Sequence, residues 1–205
     1  MPRQPDTVVF DIGNVLIRWD PRHLYRKLFA DEASLTHFLT HVCPPEFNLD
    51  FDRGRPFEEG IAERIALFPE HADAIRAWDT RWQEMVPGPI SGSVALLEAL
   101  RSAGVPLYAI TNFSAPKFAE CRHRFPFLDT AFWDVVVSAH EGVLKPEPAI
   151  YEILFTRNDL DPARTVFIDD SPANVAGARA AGMTALHFTD PDRLRADLQA
   201  LGFAV

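Results

Sequence analysis

The sequence predicts an α/β protein: a parallel sheet flanked by helices on both faces and interrupted by an inserted helical bundle. Three observations lead there. Short runs rich in Val, Ile and Phe recur near residues 7–12, 105–111, 134–138, 164–169 and 184–188, and after residue 90 they alternate with helical stretches, the pattern of βαβ units. Residues 18–86 break that alternation, carrying apolar positions at helical spacing and no strand signal. Two of the apolar runs stop at carboxylates, Asp11 and the pair Asp169-Asp170, where open α/β folds place their chemistry.

The first run is Thr7-Val8-Val9-Phe10-Asp11-Ile12-Gly13-Asn14-Val15-Leu16. Asp11 sits where the strand's hydrogen bonding stops and the loop turns, so it is either a turn former or a nucleophile. The insertion follows. Leu24-Tyr25-Leu28-Phe29, Leu35-Phe38-Leu39, Ile61-Ile65-Leu67 and Ile75-Trp78-Trp82 read as about four helices whose aromatic stripes form a bundle core. Pro87-Gly88-Pro89 closes it. The expected division is a core domain of residues 1–17 and 87–205 and a helical cap of residues 18–86.

The next strand-like run, Val105-Pro106-Leu107-Tyr108-Ala109-Ile110, ends at Thr111-Asn112-Phe113-Ser114. Thr111 and Asn112 can donate hydrogen bonds to phosphate oxygens, or Asn112 or Ser114 can cap the helix that begins near Ala115. Lys145 lies in Glu141-Gly142-Val143-Leu144-Lys145-Pro146-Glu147-Pro148, a loop entering a helix. It is either a solvated lysine or the charge that neutralises a phosphate and an acidic cluster. Arg164-Thr165-Val166-Phe167-Ile168-Asp169-Asp170-Ser171-Pro172-Ala173-Asn174 repeats the strand-to-carboxylate pattern and runs into a helix. Parallel strands would gather Asp11, Asp169 and Asp170 at one edge, where mutual repulsion demands a cation or a proton. Mg²⁺ suits the set, since it is held by one or two carboxylates plus water and substrate phosphate.

Composition narrows the partner. The chain has 205 residues, 47% of them hydrophobic, with sixteen Phe and four Trp, enough for one substantial core and an appendage. Its net charge of −9 argues against a nucleic-acid or anionic-membrane surface and for a small molecule. Cys43 and Cys121 lack a partner at metal-ligand spacing and read as packing residues in a reducing compartment. Met1-Pro2-Arg3-Gln4-Pro5-Asp6 lacks a signal-peptide pattern, so a cytoplasmic location is expected. Oligomeric state is left open.

In order, strand-Asp11, helical insertion, strand-Thr111-Asn112, Lys145-Pro146 and strand-Asp169-Asp170 resemble the haloacid dehalogenase (HAD) superfamily along essentially the whole chain. The resemblance implies a Rossmann-like core with a type-one helical cap. It casts Asp11 as nucleophile and Mg²⁺ ligand, forming an aspartyl-phosphate, and Lys145 as the residue that stabilises the phosphoryl group and orients Asp11. Thr111 and Asn112 would hold that group, joined on the substrate side by Asn174, which looks like the support of the last loop. The metal set would be Asp11, the main-chain carbonyl of Gly13, and Asp170 with Asp169 beside it. Phe10-Asp11-Ile12-Gly13-Asn14-Val15 is similar to a subgroup that includes sugar-phosphate phosphatases, so the implied activity is Mg²⁺-dependent hydrolysis of a small phosphorylated metabolite, a sugar phosphate among the candidates.

One position departs from the family's phosphatases, which usually carry a second Asp two residues after the nucleophile as general acid and base. Here that position is Gly13, and loss of a positioned acid/base removes roughly 10² to 10⁴ in rate. A phosphatase survives this if its leaving group is acidic, or if Asp169 or a cap residue supplies the proton. A 2-haloacid dehalogenase also lacks that acid, but Asp169-Asp170 would repel its carboxylate substrate and Thr111-Asn112-Phe113 differs from the Ser-Asn-Gly typical of dehalogenases. A non-catalytic phosphate-binding relative is the third reading, weakened by the retention of Asp11, Lys145 and Asp170. His37 and His41, four apart, read as a solvated helix face, as do Arg22-Arg26-Lys27 and Arg122-His123-Arg124, although Arg22 or Arg26 could reach an anionic substrate.

Overall fold

A computed structural model describes residues 4–205; Met1–Arg3, part of the segment expected to carry no signal peptide, lie outside the described residues. The sheet contains β1 (Thr7–Phe10), β2 (Leu107–Thr111), β3 (Asp134–Val137), β4 (Thr165–Asp169) and β5 (Thr184–His187). All neighbours are parallel, in the order β3-β2-β1-β4-β5. β1, β2 and β4 are buried along their whole length, which is why they read as continuous apolar runs, whereas edge strand β5 is only partly buried. The order reverses about β1: the chain builds out through β2 to β3, then crosses back to place β4 on the other side. Ligand crevices form at such a switch point, outside the carboxyl ends of the strands.

The insertion after β1 contains five α-helical segments among the described residues: α1 (Arg22–Tyr25), α2 (Glu32–His37), α3 (Pro45–Asp52), α4 (Phe57–Leu67) and α5 (Ala72–Thr80). Helical spacing alone passes over α3. Its apolar pair Phe47 and Phe51 is diluted by Glu46, Asp50 and Asp52, although Pro45 at its first position is a start signal. The aromatic stripes meet as a bundle core: Tyr25 lies 4.7 Å from Phe38 and 5.6 Å from Trp78, and Phe47 packs edge-on against Trp78 at 5.5 Å. Among the described residues seven α-helices complete the core: α6 (Ser91–Ser102), α7 (Ala115–Arg124), α8 (Phe127–Thr130), α9 (Ser138–Glu141), α10 (Pro148–Asn158), α11 (Pro172–Ala180) and α12 (Pro191–Ala200). No helix among the described residues is long and apolar enough to cross a membrane.

Alternation along the strands divides the apolar interior. Val8, Phe10, Leu107 and Ala109 face a cluster that runs without a break into the insertion, taking in Leu24, Tyr25, Phe38 and Trp78. Val9, Tyr108, Ile110 and Phe167 face the opposite layer, packed on Ile150, Tyr151, Leu154 and Val175 of α10 and α11. The insertion's two connections run side by side, with the Arg18 N–H on the Gly88 carbonyl at 2.9 Å, Asp20 on Met85 at 3.0 Å and Ile90 on Leu16 at 2.8 Å. Cys43 and Cys121 are free and buried.

Trp78 is 1% exposed at the centre of the cap's aromatic cluster. Trp78→Ala is expected to lower the unfolding free energy by about 3–5 kcal/mol and Trp78→Phe by clearly less, as read from urea denaturation midpoints.

Candidate active site

Asp11 is the first residue past β1, yet its N–H still donates to the Ile168 carbonyl at 2.8 Å, so β4 continues to hold it. The Ile12 N–H donates back to Asp11 Oδ1 at 2.7 Å. The chain then turns sharply: Asn14 takes a left-handed conformation (φ 53°), which its short polar side chain tolerates, and its Oδ1 accepts from the Trp19 N–H at 2.9 Å. This turn presents the Asp11 carboxylate to the crevice between β1 and β4 while leaving the residue 7% exposed.

Lys145 arrives from the loop ahead of α10, and its side chain is 1% exposed. Its ammonium lies 2.8 Å from Asp11 Oδ1 and 2.7 Å from Asp169 Oδ2, and it donates to the Ile110 carbonyl at 2.9 Å. All three of its donors are thereby used. Asn112 fixes the backbone of this lysine from β2: its Oδ1 accepts from the Lys145 N–H at 2.8 Å and its Nδ2 donates to the Lys145 carbonyl at 3.1 Å. The carboxamide expected to grip a phosphoryl group is therefore engaged with Lys145, although Asn112 also lines the cavity.

Asp169, at the end of β4, is wholly buried. Its Oδ1 accepts from the Ser171 N–H at 2.8 Å, and Asn174 Nδ2 donates to both its oxygens at 3.0 and 3.1 Å. Asn174 does not line the cavity; it braces Asp169, which in turn holds Lys145. Asp170, the next residue, does line it. Thr111 is 1% exposed, and its hydroxyl has no hydrogen-bond partner among the described residues.

Carboxylate oxygens of Asp11, Asp169 and Asp170 lie within 4.8 Å of one another. Burial is the main reason Asp11 sits above the usual carboxylate range; Lys145 pulls it down, and Asp169 and Asp170 push it up. Asp170 is raised by burial and then by the charge of Asp169. Burial alone would lower Lys145, but Asp11 and Asp169 outweigh it and hold the ammonium charged. With all three acids ionised, one lysine leaves the cluster short of positive charge. An oxygen-only donor set of that charge fits a hard divalent cation such as Mg²⁺.

Above this cluster lies a cavity of about 250 Å³, lined by Asp11, Gly13, Asn14, Asn112, Phe113 and Asp170 from the core, Trp19 and Trp82 from the connections, and Pro45, Asn48, Leu49 and Asp52 from α3. The α3 contribution was not legible from helical spacing. Asp52 is 6% exposed, with Asn48 Nδ2 donating to its Oδ2 at 2.7 Å and the Ser114 N–H donating to its carboxylate. Burial pushes it up to about 7, against those hydrogen bonds and the charge of Lys145. Ser138, just past β3, is a second residue that sequence reasoning missed. Its hydroxyl donates to the Asp52 carbonyl at 2.5 Å and accepts from the Phe113 N–H at 2.9 Å. Ser114 precedes α7 but makes no side-chain cap.

Other expectations resolve simply. Arg22 and Arg26 do not reach the cavity; both pair with Glu32 at 2.9 Å on the exposed face of the cap. His37 and His41 stack on each other at 4.7 Å, also exposed, and belong to no acidic or thiol cluster among the described residues. Arg122 pairs with Asp129 on the surface.

Residues 5–182 match the family model of the haloacid dehalogenase-like hydrolases. The sesquiterpene phosphatase astK of Aspergillus oryzae is 30% identical over 182 residues, covering 89% of each chain. The flavin mononucleotide hydrolase 1 of Arabidopsis thaliana is 30% identical over 205 residues, covering 99% of this chain and 80% of the relative. A HAD-like family hydrolase from Porphyromonas gingivalis superposes with a TM-score of 0.76 at 22% identity, over 98% of this chain and all of that one. With the fold, the ordered site residues and these matches in agreement, the chain belongs to the haloacid dehalogenase-like hydrolases.

Proposed function

We propose that this hydrolase is a Mg²⁺-dependent phosphatase that cleaves a small phosphorylated metabolite through an aspartyl-phosphate on Asp11. The observation that carries the reading is the buried Asp11–Lys145–Asp169 chain beside Asp170, opening into one cavity at the switch point. Phosphoryl transfer needs an in-line nucleophile and neutralisation of the equatorial oxygens. Asp11 supplies the nucleophile, held by β1 and Lys145. Lys145 supplies positive charge beside it, whereas Thr111, expected to hold the phosphoryl group, is 1% exposed and does not line the cavity. Asp11, Asp170 and the Gly13 carbonyl would hold Mg²⁺, which when bound supplies the remaining charge neutralisation. Asp169, its oxygens already accepting from Lys145, Ser171 and Asn174, positions the lysine. The names of relatives such as astK and the flavin mononucleotide hydrolase support phosphate-ester hydrolysis.

The cavity walls constrain the leaving group. Trp19, Trp82, Phe113, Leu49 and Pro45 are apolar, the ionisable lining residues are acidic, and no Lys, Arg or His lines the cavity among the described residues. A second phosphate would face carboxylates without a counter-charge, so the reading favours an uncharged alcohol with some apolar surface.

Phosphate release from p-nitrophenyl phosphate and from a sugar 1-phosphate is expected with Mg²⁺ and not with EDTA, and Asp11→Asn should reduce it by about 10³-fold or more without unfolding the protein. Turnover near wild type in that variant would sink the nucleophile assignment. Across a panel of phosphorylated metabolites, mono-esters of uncharged alcohols should exceed bisphosphates by about tenfold or more in kcat/KM, the worth of roughly 1.4 kcal/mol.

A further inference from the structure

Gly13 occupies the position where a proton-transferring Asp was expected, and it has no group that can exchange a proton. Nothing in the backbone demands glycine there: Gly13 is outside the left-handed region, and a Cβ would meet no atom within 4 Å. Few groups can take its place: among the described residues the ionisable ones lining the cavity are Asp11, Asp52 and Asp170. Asp11 is committed to phosphorus and Asp170 to the cation.

We infer that Asp52, brought over the nucleophile by the cap, is the general acid and base of the reaction, in place of the group missing at Gly13. The inference rests on the phosphatase reading of the same site. Its support is positional. Asp52 ends α3 at one of the places where the cap is fastened to the core, another being the pair of Lys117 on α7 with Asp79 on α5 at 2.8 Å. The Ser114 N–H holds its carboxylate, Ser138 holds its carbonyl at 2.5 Å, and Arg53 beside it pairs with Glu147 at 2.7 Å. Gly54, in the left-handed region at φ 104°, lets this segment lie flat on α9, since a Cβ there would come within 2.9 Å of the Ala139 carbonyl oxygen. The carboxyl thus has bonds from its own helix and from the loop after β2, while it borders the cavity shared with Asp11.

The charged groups around Asp52 favour a proton held near neutrality. Lys145 attracts its ionised form from below, Asp11 and Asp170 share the cavity, and burial outweighs the lysine to push it up to about 7. An acid/base works best when its pKa lies near the working pH.

The steps balance. Asp11 oxygen bonds to phosphorus, the phosphorus–oxygen bond to the alcohol breaks, and the departing oxygen takes the Asp52 proton to leave as neutral alcohol. The Asp52 carboxylate then takes a proton from water as that water's oxygen bonds to phosphorus. The phosphorus–Asp11 bond breaks, its electron pair returns to the Asp11 carboxylate, and inorganic phosphate leaves with Asp52 protonated again.

The test compares two esters on the same enzyme preparation, so that any loss of folded protein cancels in their ratio. kcat/KM reports events through transfer to Asp11, including departure of the alcohol. Asp52→Asn keeps the side chain's size. It should lower kcat/KM for an alkyl phosphate, whose alkoxide is a poor leaving group, by roughly 10²–10⁴-fold, and for p-nitrophenyl phosphate by less than about tenfold. Adding Gly13→Asp to Asp52→Asn should restore at least about tenfold on the alkyl ester. Equal losses on the two esters, with no recovery on adding Gly13→Asp, would overturn the assignment and reduce Asp52 to a cap fastener. An inactive wild-type enzyme on every phosphate ester would instead remove the phosphatase reading and this assignment with it.

Discussion

The site depends on one buried ammonium. Taking Lys145 out of water costs several kcal/mol, and Asp11 and Asp169 beside it carry the same kind of penalty. That cost is offset only because every partner is in place: each of the lysine's donors has an acceptor at 2.7–2.9 Å, Asn112 clamps its backbone on both sides, and Asn174 and the Ser171 N–H complete Asp169. The consequence is mechanical as well as electrostatic. Lys145 reaches the end of β1 through Asp11, β2 through Ile110 and β4 through Asp169, so one cation ties together the three central strands where the sheet opens. It also explains why the cluster remains acidic. The lysine is consumed in binding Asp11 and Asp169, and Asp170, facing the cavity, makes no ion pair among the described residues, the charges of Lys145 and His187 acting on it only from a distance.

Two kinds of contact join the cap to this platform. The apolar cluster runs without a break from one face of the sheet into the aromatic core of the insertion, which gives strength but little positional precision. The polar contacts are fewer and directional. Ser138 links the loop after β2 to the cap through the Phe113 N–H and the Asp52 carbonyl, and Ser114 meets the Asp52 carboxylate. Both are elements of the core that stand at the carboxyl edge of the sheet. The cap is therefore registered against the same strand ends that build the acidic cluster, and α3 rather than any other cap helix closes the cavity.

Much of this was legible in the sequence because it is local. An apolar run that halts at Asp11 or at Asp169-Asp170 states both the strand and the place where it opens, and β1, β2, β3, β4 and β5 fall within the runs that Val, Ile and Phe mark. What was not legible is the use made of each polar group once distant segments meet. Asn112 was read as a phosphate donor or a helix cap, yet it clamps a backbone 33 residues away. Asp52 and Ser138 lie 86 residues apart and carry no motif; their bond exists only because α3 docks beside β3. Gly177 in α11 is similar. Its lack of a side chain lets the helix approach the loop that carries Lys145, where a Cβ would come within 2.9 Å of Pro146 Cβ and 3.0 Å of the Pro146 carbonyl oxygen. Periodicity finds faces, and it cannot find partners.

The distribution of acids between core and cap has a physical logic of its own. A carboxylate at position 13 would join Asp11 and Asp170 on the rigid floor of the cavity, adding a further negative charge to a group already raised by burial and mutual repulsion. Moving the proton donor to α3 separates those roles. The floor keeps the acids that must be ionised, stabilised by Lys145 and suited to a cation. The roof holds the acid that must alternate between its two forms, in a half-apolar setting of Trp82, Leu49 and Phe113, where the neutral form is not penalised. Such an arrangement couples proton transfer to the seating of the cap, because Asp52 itself makes some of the bonds that seat it, beside the Lys117–Asp79 and Arg53–Glu147 pairs. Gly13 then needs no acid of its own, and the space around it, where a Cβ would meet no atom within 4 Å, is free to receive the one that Gly13→Asp would supply.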